Sequence, residues 1–123
     1  MYEVNRSLVT LIPQEPFWTW LQSLPETDLD DFNLEDLQDD ANSYLINTCE
    51  DMDMAYDEVM KNLEQLFSAE LADWCEDPEQ WPDLHPDIFT EWFEIRLSTV
   101  VTDLSQQDIE RVPFEPIIIN PDA

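Results

Sequence analysis

Thirty Asp and Glu side chains stand against four Lys and Arg, a formal charge of -26 on 123 residues, in a chain that is still 43% hydrophobic. Carboxylates in that excess have too few cations to pair with and belong in water, since an unpaired charge is costly to bury. The apolar residues include five Trp, six Phe and three Tyr. That is the material a disordered acidic tail lacks, because it has nothing to bury against its own conformational entropy. The pattern describes a folded, acid-coated object. A chain of this length has room for one core and not for two.

The sign of the charge excludes several partners. Nucleic acids and anionic lipid headgroups are polyanions that this surface repels, so direct DNA, RNA or membrane binding is not expected. The chain contains no glycine, and phosphate-cradling loops and dinucleotide fingerprints need it where the backbone approaches the ligand. No P-loop or Rossmann turn can be read, and no cofactor is expected. Met1 to Arg6 lacks the apolar run of a signal peptide, and Ser7 to Ile12 is too short to span a bilayer. A soluble, cytoplasmic protein is expected, with Cys49 and Cys75 reduced, buried and without a chemical role.

Along the chain, helical and extended patterns alternate. Arg6 to Ile12 is rich in β-branched and aliphatic residues and stops at Pro13, which predicts a strand. Pro16 opens a short helix with Phe17, Trp20, Leu21 and Leu24 on one face, closed by Pro25. Glu26 to Asp40 reads as an acid-rich connection carrying Leu29, Phe32, Leu34 and Leu37, and Ser43 to Asn47 as a second strand. A long helix is predicted from Asp51 to Cys75. Its apolar stripe comprises Met52, Tyr56, Val59, Met60, Leu63, Leu66, Phe67, Leu71 and Trp74, with Asp57, Glu58, Lys61, Glu64 and Ser68 opposite. Thr48 with Glu50 and Asp51 resembles a capping arrangement at its start. Pro86 begins another short helix through Phe93, and Ile95 to Leu104 alternates with the period of a strand. From Ser105 the chain is a Pro-rich tail ending in Ile117, Ile118 and Ile119.

Three blocks carry a resemblance. They are Ser7 to Pro13 with Pro16-Phe-Trp-Thr-Trp-Leu21, then Tyr44-Leu-Ile46, then Glu79-Gln-Trp-Pro82 with Glu91-Trp-Phe-Glu-Ile95 and Val100 to Leu104. Together they resemble a family of small acidic bacterial proteins with no assigned activity, over roughly residues 7 to 104. The resemblance implies a β-α-β-α-α-β order and a bacterial cytosolic setting, and it carries over no site residues.

Candidate sites each have a plainer reading. Asp83, His85 and Asp87 alternate through Asp83-Leu-His85-Pro86-Asp87 and would face one side of an extended segment, as ligands of a divalent metal do. The same residues also make an ordinary helix start, with Pro86 in the first turn and Asp87 complementing the dipole. The run Asp28, Asp30, Asp31, Glu35, Asp36, Asp39 and Asp40 supplies oxygen ligands but fits no EF-hand register. One His and no nucleophile-base signature give no basis for a catalytic assignment, and a metal-dependent enzyme is the weakest reading.

The sharper expectation is a non-enzymatic interaction protein with a basic, nucleic-acid-binding protein as its partner. Duplex DNA carries one charge per about 1.7 Å, so this net charge equals roughly 44 Å of duplex. It resides on a domain about 35 Å across, comparable to DNA. The contact elements are the acidic run 28–40, whose Leu29 to Leu37 portion has the makings of an amphipathic turn, and Ile117, Ile118 and Ile119, which suit addition to a sheet edge; the plainer reading of each is packing against its own domain. The alternative is a salt-adapted or solubilised domain with a protein-docking role.

The fold expected is a single α+β domain over residues 1–104, with the tail 105–123 outside it. A small three-stranded sheet from Arg6 to Ile12, Ser43 to Asn47 and Ile95 to Leu104 is covered by one long and two short helices. Its first connection permits a parallel crossover. Leu8, Leu11, Trp20, Leu21, Val59, Leu63, Phe67, Trp92, Leu97 and Val101 are the predicted core.

Overall fold

The most apolar segment of the chain becomes the centre of its sheet. In the computed structural model, which describes residues 1–25 and 28–114, β1 (Tyr2–Glu3) is followed by β2 (Ser7–Pro13), α1 (Glu15–Ser23), α2 (Leu34–Asp39) and β3 (Asn42–Ile46). Then come α3 (Met52–Lys61), α4 (Leu63–Ala72), a 3-10 turn (Pro78–Gln80), α5 (Pro86–Trp92), β4 (Phe93–Ser98) and β5 (Thr102–Asp103). The result is a small α+β domain with a three-stranded antiparallel sheet in the order β3-β2-β4. Residues 105–114 form no helix or strand and are exposed.

Both pairings of β2 are antiparallel, Ser7 opposite Ile46 and Leu11 opposite Asn42 on one side, Leu8 opposite Ser98 and Pro13 opposite Phe93 on the other. The first connection, for which the sequence permits a parallel crossover, is not one. Two helices lie between β2 and β3, and the chain passes over them and returns in the opposite direction. Pro13 has no N–H to donate and sits at the strand's last position, after which the Gln14 amide donates to Trp92 O at 2.8 Å.

The last strand also differs from the expected 95–104. It begins at Phe93, which ends α5 with extended backbone, and stops at Ser98. After a turn, Thr102–Asp103 pairs with Tyr2–Glu3 in a separate two-stranded ribbon, supported by Val4 N donating to Val101 O. Two-residue strands have too little alternation to be visible in a sequence.

The long helix is two helices. Asn62, at φ -112° and ψ 18°, is the C-cap of α3 and the N-cap of α4. Its side-chain amide donates to Glu58 O at 2.8 Å, competing for a carbonyl the ladder would otherwise use. The break rotates the stripe, leaving Met52 and Tyr56 exposed and Ser68 buried, the reverse of the expected placement. The α3 cap is Asp51, accepting from Met54 N at 2.9 Å, rather than Thr48.

Val9 and Leu11 of β2, Phe17 and Leu21 of α1, Val59 of α3, Phe67 and Leu71 of α4, Phe89 of α5 and Phe93 make one core. Phe67 meets Phe89 edge-on with centroids 5.2 Å apart, and Phe17 lies 5.1 Å from Phe93. Each such side chain contributes about 1.5–3 kcal/mol by leaving water. Of the predicted core, Leu11, Trp20, Leu21, Val59 and Phe67 are buried, while Leu8, Leu63, Trp92, Leu97 and Val101 are half-buried. Leu8 and Leu11 are three apart and cannot share a strand face, and the inner face belongs to Ser7, Val9 and Leu11. Cys49 is buried and Cys75 half-buried, both as free thiols.

Candidate functional site

The acidic run is an ordered element. Asn33 Oδ1 accepts from Asp36 N at 2.9 Å and Asp36 Oδ2 accepts from Asn33 N at 3.0 Å, a reciprocal capping box that starts α2. Glu35 and Asp36 suit the positive end of its dipole. Leu37 is buried, and Gln38 Nε2 donates to Pro13 O at 2.9 Å, fastening the helix to the end of β2. Asp28, Asp30 and Asp31 lie in the preceding loop, Asp39 ends the helix and Asp40 caps it. All seven carboxylates are exposed.

Beside α2 opens a cleft of about 290 Å³. Leu11, Phe17 and Leu37 contribute apolar lining, together with Phe32 and Trp74, which meet edge-on at 6.1 Å. Asp36, Asp40, Glu70 and Asp73 line it with carboxylates, and none of its described lining residues is basic. Aromatic faces beside carboxylates are the chemistry that receives an ammonium or guanidinium on an aliphatic stem.

Glu70 is the residue that sequence reasoning missed. It is only 6% exposed. Tyr44 Oη donates to its Oε1 at 2.7 Å, and Asn42 Nδ2 donates at 3.2–3.3 Å. The same Asn42 amide reaches Asp73 Oδ2 at 3.3 Å. Burial pushes the Glu70 carboxyl up to about 7, with Asp73's charge adding to it, while the bonds from Tyr44 and Asn42 pull the other way. Tyr44 is pushed up as well, by burial first and then by the Glu70 charge, so its phenol remains a donor. One signal was legible, since Glu70 falls at i+3 from Phe67 and i-4 from Trp74, inside the apolar stripe.

His85 is the N-cap of α5, its Nδ1 accepting from Asp87 N at 3.1 Å, and Asp83 and Asp87 are exposed beside it. Among the described residues no three His, Cys, Asp or Glu side chains are grouped to hold a metal ion. Ile117, Ile118 and Ile119 lie outside the described residues. No described helix is long and apolar enough to cross a membrane.

Every described carboxylate except those of Glu58, Glu70 and Asp103 belongs to an exposed residue. Ion pairing neutralises few of them, through Lys61 with Glu58, Arg96 with Glu94 and, when its imidazole is protonated, His85 with Asp87. Comparison with known proteins finds no matching family model, no matching curated protein and no matching solved structure. The likeness read from three sequence blocks stands on those blocks alone.

Proposed function

We propose that this is a non-enzymatic docking protein whose acidic surface binds a basic protein, occupying the site where that partner receives a nucleic acid backbone. The reading rests on one observation, the exposed and uncompensated carboxylates of residues 28–40 gathered on α2 and its flanks. Charge so placed steers association with a basic surface and gives it a strong salt dependence. The neighbouring cleft suits a Lys or Arg side chain from the partner.

Capture from a bacterial lysate tests this, with the purified protein as bait at low and high salt. The expected result is one or two nucleic-acid-binding proteins, retained at low salt, released at high salt and displaced by duplex DNA. Recovery of basic proteins in proportion to their abundance would overturn it.

A second reading, a salt-adapted domain, is favoured by the exposed acids on α1, α3, α4 and α5 as well as α2. Circular dichroism at low salt separates the two. A salt-adapted domain unfolds there, whereas a docking protein keeps its fold.

A further inference from the structure

The described side-chain hydrogen bonds of Asn42 and Tyr44 all converge on the end of α4. Tyr44 donates to Glu70, and Asn42 bridges Glu70 and Asp73. These two β3 residues face the same side of the strand, and β3 is an edge strand, held on its other side only by β2. Glu70 therefore fastens an edge strand to a helix through a residue that is only 6% exposed, at the wall of the cleft. Among the described residues lining its cleft none is basic, so the only groups that favour its charge are the donors Tyr44 and Asn42. Asp73 faces it from the end of α4, Tyr44 and Asn42 face it from β3, and Asp36 and Asp40 of α2 and its cap line the same cleft.

We propose that Glu70 is a proton-controlled clamp between α4 and β3, closed when the carboxyl is protonated and loosened when it ionises. A neutral carboxylic acid keeps an acceptor for Tyr44 and Asn42 without repelling Asp73. Ionisation strengthens each accepted bond but sets a second charge beside that of Asp73 on a group only 6% exposed. Local opening relieves that charge by admitting water. Its position near 7 puts the transition in the neutral range. Because Glu70 lines the cleft proposed for a partner's Lys or Arg, the clamp is a property of the protein alone and is tested without a partner, so that its failure and the failure of the docking reading are distinguishable.

The sign follows from proton counts. Closed, the carboxyl titrates near 7 and open near its ordinary 4.5, so the closed form holds more protons between those values and opening is favoured as pH rises. The opening constant should therefore grow roughly tenfold between pH 6 and pH 8.

Amide hydrogen exchange, corrected for intrinsic rates, measures that constant strand by strand. We expect the roughly tenfold rise in β3, with the β2–β4 ladder unchanged as an internal reference, and its disappearance in Glu70→Gln. Asp73→Asn should shift the rise to lower pH by removing a repelling neighbour. A direct 13C titration of the Glu70 carboxyl in the unaltered protein, independent of how the variants fold, should have its midpoint near 7. A pH-independent β3, an equal change in both ladders, a rise that persists in Glu70→Gln, or a midpoint near 4.5 would each overturn the clamp.

Discussion

Tyr44 Oη lies 2.7 Å from Glu70 Oε1, joining the edge strand β3 to the helix α4 through a buried carboxyl group. Because that group is more easily protonated folded than unfolded, its contribution to stability is fully present below 4.5 and is lost as pH rises through about 7. Glu70→Gln mimics the protonated form. Urea denaturation should find it more stable than the unaltered protein at pH 8, by up to about 3 kcal/mol, and equal to it near pH 4.5.

Tyr44→Phe keeps the ring and deletes the donor. Glu70 then loses its shortest bond while remaining buried, and stability at neutral pH should fall by about 1–3 kcal/mol. In the double variant with Glu70→Gln the loss should be smaller, because a neutral acceptor is less costly to leave with one partner fewer. A double-mutant cycle in urea measures the difference.

Ser7 is fully buried, with Oγ accepting from Cys49 N at 2.8 Å and 3.1 Å from Thr99 O, to which it donates. It ties the start of β2 to the approach to α3 and to the chain just after β4. Ser7→Ala strands the Cys49 amide and should cost about 1–3 kcal/mol, read as a lower urea midpoint with an unchanged slope.

With a net charge of -26 and few ion pairs among the described residues, the folded chain repels itself. Sodium chloride at 1 M shortens the screening length to about 3 Å, and the thermal midpoint should rise by about 4 °C or more over that at 10 mM, corresponding to about 1 kcal/mol. Scanning calorimetry at the two concentrations checks this, and the low-salt sample should still show a cooperative transition.

Legibility tracked length and periodicity. β2 and α1 were readable because Pro13, Pro16 and Pro25 punctuate clear apolar patterns. The break at Asn62 was not, because a polar residue that splits a helix by bonding the Glu58 carbonyl looks like any residue on a solvent face. α2 is six residues long, and its box uses Asn33 and Asp36 in place of the more familiar Ser or Thr with Glu. Glu70 does not stand out in the sequence because one acid among thirty draws no notice by type. Its position between Phe67 and Trp74 was the clue, and only the Tyr44 and Asn42 contacts give that position meaning.

Whether recognition belongs to the α2 face or to the charge as a whole is tested by two variants of equal net charge. In one, the carboxylates of Asp28, Asp30, Asp31, Glu35, Asp36, Asp39 and Asp40 become amides. In the other, those of Asp53, Asp57, Glu64, Glu79, Asp83, Glu91 and Glu94 do. Affinity for the captured basic partner, measured by calorimetric titration at one salt concentration, should fall by roughly a hundredfold or more in the first and by no more than about tenfold in the second. Equal losses in the two would contradict a docking face and leave the charge as a general property of the surface.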